Sequence, residues 1–312
     1  MKRREFMALL GGAAAVWPLA SLLRPRAARA QAQTPPAPPA QAADNQIGQV
    51  ATLEGTATVT RASAAAPAAL KLNDAIFKND ALQTGANSTL GVTFDDETTF
   101  SLSANTRIVV DEFVYQEGSS GNAALFTVTT GTAAFVASLV AQTGDMKIAT
   151  PTASLGIRGT TGVVDVPARG GAGEPRIKLY ADSDGHVGRI EVFDRQGARL
   201  GALTQGASAF ALRPGAGGRL AAVPFQIPPQ EAARDRGVLQ RLATSHAIGR
   251  QQAIQRRQVR ERNRQQRQRN QLRERNRQGP NNPRQPGGPG GPGGRPPPRR
   301  GGGGPFRRRQ GH

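Results

Sequence analysis

Short runs in which apolar and polar residues alternate fill the chain between residues 46 and 225. Alternation with a period of two is typical of half-buried β-strands, and Val, Thr, Ile and Phe favour that conformation. Gly, Asn and Asp separate the runs at intervals of roughly 8–12 residues, the spacing of short strands in sandwiches and barrels. The pattern therefore predicts an all-β fold of short antiparallel strands. The clearest runs are residues 49–60, 88–94, 98–102, 107–115, 124–130, 176–181 and 188–194.

Two acidic sequences between these runs are predicted to be hairpin turns. They are Asp-Asp-Glu at residues 95–97 and Asp-Arg-Gln-Gly at residues 194–197, and both are rich in residues that favour turns. We interpret residues 95–97 as a solvated turn rather than as a metal site. Residues 133–140 depart from the β pattern, and a short helix is predicted there.

The C-terminal part of the chain has a different pattern. Pro229 followed by Gln230 and Glu231 suits the start of a helix, so residues 228–278 are predicted to be a basic, Arg/Gln-rich helical segment. Up to about Val259 its apolar residues are spaced for one amphipathic face. Two surfaces are open for this face to pack against, the β domain and a separate partner. Beyond that point the helix is polar all round and is expected to be marginal alone. Residues 279–312, rich in Gly, Pro and Arg, are predicted to be a disordered tail.

The first thirty residues have the three parts of an export signal: a basic start, an apolar stretch and a small-residue cleavage site. Arg3, Arg4 and Phe6 match a twin-arginine (Tat) signal, and Ala28 and Ala30 form the predicted cleavage site. The alternative is an uncleaved membrane anchor, but the apolar run is at the short limit of the ~20 residues that a spanning helix needs. Residues 31–45 are a Pro/Ala linker. We therefore expect the Tat translocase as a partner during export and a periplasmic or secreted mature protein.

Residues 46–166 carry a series of short Gly- and Asp-containing motifs in a defined order, and through them they resemble the FecR domain family. The resemblance implies a FecR-like β-roll or sandwich, with residues 167–227 as a β-rich extension of the same domain. One departure is Asp95-Asp96, where the family usually has Asp-Gly. The motif residues are Gly55, Asp74, Asp80, Thr84, Gly85, Asp95, Arg158, Gly159 and Thr160.

These motif residues are expected to be mainly structural. The glycines, of which Gly55 is an example, suit turns with positive φ or close backbone approaches. Asp74 and Asp80 lie in turn-like contexts where a carboxylate bonds nearby backbone N–H groups. Arg158 is interpreted as a partly buried cation held by backbone carbonyls or by Asp165.

The resemblance also bears on function. Iron-siderophore sensors of the family place a cytoplasmic anti-sigma segment before a membrane helix, whereas this sequence opens with the signal-like segment. Sigma-factor signalling is therefore not expected to carry over. A periplasmic accessory role in regulation of the iron-uptake type remains an alternative.

Residues that carry catalytic or metal chemistry are few. The chain has no Cys and three His, and His186, His246 and His312 lack metal-ligand spacing or a nucleophile elbow. Asp182 and Asp184 resemble the start of a calcium loop, but the later ligands are missing and an Asp-Gly turn is favoured. We predict a non-enzymatic protein with no catalytic, metal or cofactor-binding residues and no cofactor. A hydrolase is the disfavoured alternative.

The net charge of +19 is unevenly distributed. Residues 31–229 hold 14 basic and 17 acidic residues, whereas residues 230–312 hold 21 arginines and four acidic residues. The arginine-dense end and the β body are therefore expected to be separate physical units. The predicted polyanion-binding residues are Arg256, Arg257, Arg260, Arg262, Arg264, Arg267, Arg269, Arg273, Arg275 and Arg277.

The partners predicted for this basic segment are anionic envelope polymers or lipid head groups, because dense arginines attract polyanions and release their counterions. An envelope protein is a further candidate partner. Nucleic acid is disfavoured, since export removes the segment from the cytoplasm and its arginines are not interleaved with aromatic residues for base stacking, Phe306 being the only aromatic residue of residues 230–312. A solvated segment that merely keeps the protein soluble is the alternative to all of these. The predicted function is that of an exported, non-catalytic binding module.

Overall fold

The computed structural model describes residues 45–277, apart from residues 65, 144 and 172. The predicted signal motif, the cleavage site, nearly all of the linker and the tail beyond residue 278 lie outside the described residues. Within the described range the chain forms two β-sheets, one short helix and one long helix. No helix in that range is both long enough and apolar enough to cross a membrane.

Seventeen strands are assigned within the described range. The first eight are β1 (Gly48–Glu54), β2 (Ala57–Thr60), β3 (Ala68–Ala69), β4 (Ala75–Ile76), β5 (Ala81–Thr84), β6 (Thr89–Phe94), β7 (Thr99–Leu102) and β8 (Arg107–Val114). The remaining strands are β9 (Ala123–Val136), β10 (Asp145–Ala149), β11 (Ala153–Arg158), β12 (Thr161–Val166), β13 (Arg176–Tyr180), β14 (Arg189–Asp194), β15 (Arg199–Leu203), β16 (Ser208–Pro214) and β17 (Leu220–Pro224). The helices are α1 (Leu139–Thr143) and α2 (Pro229–Arg277), and a short 3-10 turn covers Ala216–Gly218.

The strands form two sheets that share one long strand. The first sheet has the order β4-β1-β6-β7-β9-β12-β13-β16-β17. The second sheet has the order β3-β2-β5-β8-β9-β10-β11-β14-β15. The prediction of an all-β domain followed by a basic helix is therefore confirmed.

One detail of that prediction is wrong, because β9 and β10 pair in parallel, with Asp145 opposite Ala123 and Ala149 opposite Thr127. Strand β9 starts in the second sheet and ends in the first. The chain must therefore return through α1 to the beginning of β9 before β10 can pair with it, and it then runs in the same direction. The other strand pairs of the described residues are antiparallel.

Strand β9 crosses between the sheets near Gly131, which has a φ of +89°. A Cβ atom at this position would lie 2.3 Å from Oγ1 of Thr106, so a larger side chain does not fit. The positive φ also disfavours any residue other than glycine. The residues after Gly131 pair with β7 on one side and with β12 on the other side. This double pairing is why residues 133–136 are strand and the predicted short helix begins later, at Leu139.

The hydrophobic core lies between the two sheets. Phe94, Phe100, Phe126 and Phe135 are each at most 1 % exposed, and their ring centroids are 4.7–6.2 Å apart. Ring pairs at such separations contribute roughly 0.5–1.5 kcal/mol beyond the burial of their area. Since the chain has no cysteine, this packing stabilises the fold without disulfide bonds.

Helix α2 covers the outer face of the first sheet, so the amphipathic face predicted for this segment lies on the β domain. The helix begins at Pro229, where the missing backbone N–H costs no helical hydrogen bond. The residues that it turns towards the sheet recur every three or four positions, as one helix face requires. We call them the docking face: Glu231, Asp235, Val238, Leu242, Ser245, Gly249, Ala253, Arg256 and Arg260.

Candidate functional site

The middle of the docking face brings the helix backbone unusually close to the sheet. A Cβ atom on Gly249 would lie 1.8 Å from Oγ1 of Thr93, and one on Gly91 would lie 2.2 Å from Oγ of Ser245. Ser245 Oγ also lies 2.6 Å from Oγ1 of Thr52, at hydrogen-bonding distance. Small residues on both elements therefore set the distance between helix and sheet.

An apolar contact precedes this close approach along the helix. Val238 and Leu242 are buried against Ala134 of β9 and Val163 of β12. This cluster lies on the opposite side of the first sheet from the main core and is much smaller. The apolar contribution to helix docking is correspondingly limited, and polar contacts at both ends supplement it.

The N-terminal anchor of α2 is built around Lys178 of β13, whose side chain is 1 % exposed. Its Nζ lies 2.7 Å from Asp165 Oδ2, 2.7 Å from Glu231 Oε1 and 2.9 Å from Asp235 Oδ2. Arg176 Nη1 donates to Glu231 Oε2 at 2.5 Å. Carboxylates from the helix thus bind cations from the strand.

The electrostatics of this anchor keep Lys178 charged. Burial lowers the pKa of Lys178, but Asp165, Glu231 and Asp235 together outweigh burial and raise the pKa above its ordinary value. Burial and the neighbouring carboxylate of Asp235 raise the pKa of Tyr180, whose hydroxyl donates to Asp235 Oδ2 at 2.5 Å. Neither group is available as a deprotonated nucleophile at neutral pH.

A cavity of about 680 Å³ opens beside the N-terminal anchor. The charged groups of the anchor are among the residues that line it, and Lys178 is already paired there with Asp165, Glu231 and Asp235. Their pairing holds the helix on the sheet.

The C-terminal anchor reverses the charges of the first. Arg256 Nε lies 3.0 Å from Asp95 Oδ1, and Arg257 Nη2 lies 2.5 Å from Glu97 Oε1. Arg260 also pairs with Asp95 and donates to the backbone carbonyl of Gln46. Here the helix supplies the cations and the sheet supplies the carboxylates.

The hairpin at residues 95–97 is present between β6 and β7, but the interpretation of it as a solvated turn is wrong. Asp95, Asp96 and Glu97 are 4 %, 0 % and 8 % exposed. The arginines of α2 cover Asp95 and Glu97 from the side that would otherwise face water.

Asp96 is held separately, by groups of the sheet and of α1. Its Oδ1 accepts from the Thr98 N–H at 3.0 Å, and its Oδ2 accepts from Thr98 Oγ1 at 2.6 Å and from the Val140 N–H at 3.2 Å. Complete burial raises the pKa of Asp96 to about 6, although these hydrogen bonds act in the opposite direction. The carboxylate therefore ties the hairpin to the start of α1.

The two anchors fix the direction in which α2 lies on the sheet. Acidic residues dock near the start of the helix, and basic residues dock about 35–40 Å further along it. A helix docked in reverse would place Glu231 beside Asp95 and Arg256 beside Lys178, so like charges would meet. The order of charges along the docking face therefore excludes the reversed orientation.

Several motif residues have the structural contacts expected of turns. Gly55 has a φ of +74°, and a Cβ atom on Gly85 would lie 2.4 Å from Oγ1 of Thr56. Asp74 Oδ2 accepts from the Lys71 N–H at 2.7 Å, and Asp80 Oδ2 accepts from the Phe77 N–H at 2.9 Å. Burial raises the pKa of Asp80.

The remaining motif residues also contact the backbone of neighbouring loops. Thr84 Oγ1 donates to the carbonyl of Ser103 at 2.5 Å and accepts from the Thr106 N–H at 2.9 Å. Gly159 has a φ of +40°. Thr160 is fully buried, and its Oγ1 accepts from the Gly188 N–H at 3.3 Å.

The interpretation of Arg158 as a partly buried cation is wrong, because its side chain is exposed. Side chains alternate along β11, so the burial of Ile157 in the core turns Arg158 outward. Asp165, the partner proposed for Arg158, binds Lys178 instead.

The sequence Asp182 to Gly185 forms an ordinary turn. The Gly185 N–H donates to the carbonyl of Asp182 at 2.9 Å, and Gly185 has a φ of +85°. The carboxylate of Asp182 accepts from Thr161 Oγ1 at 2.6 Å. Among the described residues, no three His, Asp or Glu side chains are grouped in a way that could hold a metal ion.

Beyond Arg260 the helix leaves the sheet, and we call residues 261–277 the arginine arm. Residues 261–276 are all exposed. The arm extends about 25 Å at 1.5 Å per residue. The side chain of Arg277 lies outside the described part, and the other arginines of the arm are Arg262, Arg264, Arg267, Arg269, Arg273 and Arg275.

The predicted polyanion-binding set is therefore divided by the structure. Arg256, Arg257 and Arg260 face carboxylates of the β body, whereas Arg262 and the later arginines of the arm face outward. The expectation that the arginine-dense end and the β body are separate physical units is wrong for residues 229–260. Buried ion pairs and close packing join that part of the helix to the sheet.

Sequence reasoning missed the face of the first sheet on which helix α2 docks. Lys178 lies between Ile177 and Leu179, both of which point into the core. Strict alternation predicts that Lys178 faces away from the core, but it does not show that a helix covers that face. The available signal was Glu231 and Asp235, an acidic pair four residues apart in a strongly basic segment.

Comparison with known proteins gives a family match for part of the β body. Residues 80–180 match the family model described as FecR protein. The matched range runs from the start of β5 to the end of β13. It therefore contains Asp95, Glu97, Lys178 and Tyr180 but not α2.

Two similar crystal structures are described as a "putative anti-sigma factor" from Parabacteroides distasonis. They are 14 % and 13 % identical to this chain, with TM-scores of 0.34 and 0.33. Each alignment covers 47 % of this chain and 60 % of that chain, so the alignment spans about three-fifths of those proteins. No curated protein matches the chain.

Proposed function

We propose that this protein, which carries a FecR domain over residues 80–180, is an exported, non-catalytic binding module of the bacterial envelope. In this proposal the β body is a rigid support, and the arginine arm associates with anionic envelope polymers or lipid head groups. The observation that carries the proposal is the exposure of the arm on a helix whose base is clamped to the sheet.

The clamp matters because it holds the cations away from the acidic groups of the body. The carboxylates of the body that face the helix, Asp95, Glu97 and Asp165, are already paired with Arg256, Arg257 and Lys178. Guanidinium groups form paired hydrogen bonds with phosphate, sulfate or carboxylate groups. The arm therefore offers such groups a concentrated set of donors.

The proposed location rests on the sequence of the first thirty residues. A Tat-type signal with Arg3 and Arg4, followed by the cleavage site at Ala28 and Ala30, supports export. In the periplasm or outside the cell, the polyanions within reach are phosphorylated or carboxylated polymers and anionic lipids. N-terminal sequencing of the mature protein is expected to begin at Gln31, whereas a sequence beginning at Met1 would contradict export by cleavage.

Charge removal tests the binding role. In the arm variant, the six arginines from Arg262 to Arg275 become Gln. In a matched control, six exposed arginines of the β body become Gln, which removes the same charge. The control residues are Arg158, Arg169, Arg195, Arg199, Arg213 and Arg219.

Binding is measured on heparin and on vesicles that contain phosphatidylglycerol, across a series of salt concentrations. The arm variant is expected to bind at least one of the two more weakly and with a smaller salt dependence, because fewer counterions are released. The control variant is expected to bind like the natural protein. Equal losses in the two variants would contradict the proposal, because binding would then follow net charge and not the arm.

A second candidate function is that of a periplasmic accessory in signal transduction of the iron-uptake type, and the FecR match favours it. Such a protein acts on a membrane partner through its β body. Crosslinking in intact cells, followed by purification from envelope fractions, is expected to recover a membrane sensor or transporter. Recovery of nucleic acid or cytoplasmic proteins alone would contradict both candidates.

A further inference from the structure

We infer that the arm binds a hydrated linear polyanion, such as an acidic polysaccharide, which contacts the helix from more than one side. A flat lipid surface is the alternative that this inference excludes. The inference rests on the proposed function and narrows the class of its ligand. It is carried by the distribution of the arginines around the helix axis.

The arginines of the arm lie on two sides of the helix. At 3.6 residues per turn, successive residues are about 100° apart. Positions seven and eleven residues apart therefore return to nearly the same side. The first triad is Arg262, Arg269 and Arg273, and the second triad, on the opposite side, is Arg264, Arg267 and Arg275.

The arm lacks the apolar face that a membrane-surface helix requires. Leu272 is the one apolar residue among residues 261–277, and it is 60 % exposed. Helices that lie in a lipid interface bury a broad apolar face and gather their cations on the other face. Insertion of this helix into a lipid surface would therefore bury almost no apolar area, and only the charges of the arm could bind it to the surface.

Charge alone also suits a flat surface poorly. A helix with side chains is about 10–12 Å wide, so a plane that contacts the first triad leaves the second triad about one Debye length away at physiological salt. The two anchors prevent the helix from turning about its own axis, because Lys178 and Asp95 hold different ends of the docking face. A flexible chain of anionic groups can follow both triads at once.

Neighbouring arginines of the arm also repel one another before a ligand binds. Arg269 and Arg273 are four residues apart, and Arg264 and Arg267 are three residues apart, so each pair shares a side of the helix. A polyanion that neutralises both sides removes these repulsions and stabilises the helix. Ligand binding is therefore expected to increase the helix content of the protein.

Two variants of the full-length protein separate the two ligand classes. One replaces the first triad (R262Q, R269Q and R273Q), and the other replaces the second triad (R264Q, R267Q and R275Q). Each variant removes three charges and keeps residues that favour a helix, so each is the control for the other. Both are measured on heparin, as a linear sulfated polysaccharide, and on vesicles of phosphatidylglycerol and phosphatidylcholine.

On heparin, both variants are expected to lose affinity by similar factors, roughly 10- to 100-fold at low salt, because each variant makes three fewer ion contacts and releases fewer counterions. Circular dichroism is expected to show more helix when heparin is added to the natural protein. Tighter binding to vesicles than to heparin, with a loss confined to one triad, would overturn the inference and leave the proposed function intact. Failure of the natural protein to bind either probe would overturn both.

Discussion

Nζ of Lys178 lies 2.9 Å from Oδ2 of Asp235, and this contact joins strand β13 to helix α2 inside the protein. Asp165 and Glu231 complete the surroundings of Lys178, each at 2.7 Å. With Arg176, which pairs with Glu231, two cations face three carboxylates. The cluster therefore tolerates the loss of one carboxylate better than the loss of its central cation.

Replacement of Lys178 by Met is expected to lower the free energy of unfolding by about 3–5 kcal/mol, because it leaves buried carboxylates without a cation between them. Replacement of Asp235 by Asn is expected to cost about 1–2 kcal/mol, since two carboxylates still pair with Lys178. Urea denaturation at neutral pH measures both. The control is replacement of Lys147 by Met. Lys147 is a half-exposed lysine paired with Asp145, so the free energy of unfolding should change little. A larger loss of unfolding free energy in the Asp235 variant than in the Lys178 variant would contradict the proposed role of Lys178 as the central cation.

Arg256 uses three nitrogens in the C-terminal anchor. They donate to Asp95 Oδ1 at 3.0 Å, to Gln49 Oε1 at 2.6 Å and to the carbonyl of Thr93 at 3.4 Å. Lysine carries the same charge at a single point and cannot reach all three acceptors.

Replacement of Arg256 by Lys is therefore expected to loosen the end of the docked helix while the charge is unchanged. Amide hydrogen exchange of residues 250–260 should accelerate by roughly 10- to 30-fold, for a loss of about 2 kcal/mol. Exchange around Leu242 should stay as it is. The same replacement at Arg262, which is exposed, is the control and should have no effect. An equal effect at both positions would show that Arg256 does not anchor the helix.

These anchors explain which parts of the structure the sequence could predict. Strand β6 and the turn after it follow from alternation and turn residues within a few positions of one another. The burial of that turn depends on Arg256, which is 161 residues away from Asp95 along the chain. Local patterns carry no information about a contact of that length.

The path of β9 was unpredictable for a related reason. Its last residues include Ala133 and Ala134, which favour helices by propensity alone. Pairing with β7 and β12 on both sides decides in favour of strand, and those strands come from distant parts of the sequence. Helix α2, in contrast, was predictable because its start and its spacing are local properties.

Asp96 gives the protein a pH dependence of known sign. Its pKa is about 6 in the folded state, above an unfolded value of about 3.9, so the folded state binds the proton more tightly. Its contribution to the free energy of unfolding therefore grows as the pH falls from 7 to 4, by about 2 kcal/mol. Replacement by Asn should remove this contribution. Denaturation at a series of pH values measures the difference between the two proteins, and parallel curves would contradict the prediction.

Gly249 and Gly237 lie on the same helix, yet replacement by Ala should have opposite effects. Within a helix, alanine is more favourable than glycine by about 1 kcal/mol. A Cβ atom on Gly237 would meet nothing closer than Nη1 of the flexible Arg241 at 3.8 Å, so the Gly237 variant should gain stability. A Cβ atom on Gly249 would lie 1.8 Å from Thr93 Oγ1 and 2.3 Å from Thr93 Cβ. The helix must then move off the sheet, and a loss of about 1–3 kcal/mol is expected despite the better propensity. Thermal and urea denaturation of both variants measure the effects. A gain at Gly249 equal to that at Gly237 would mean that small residues do not set the distance between helix and sheet.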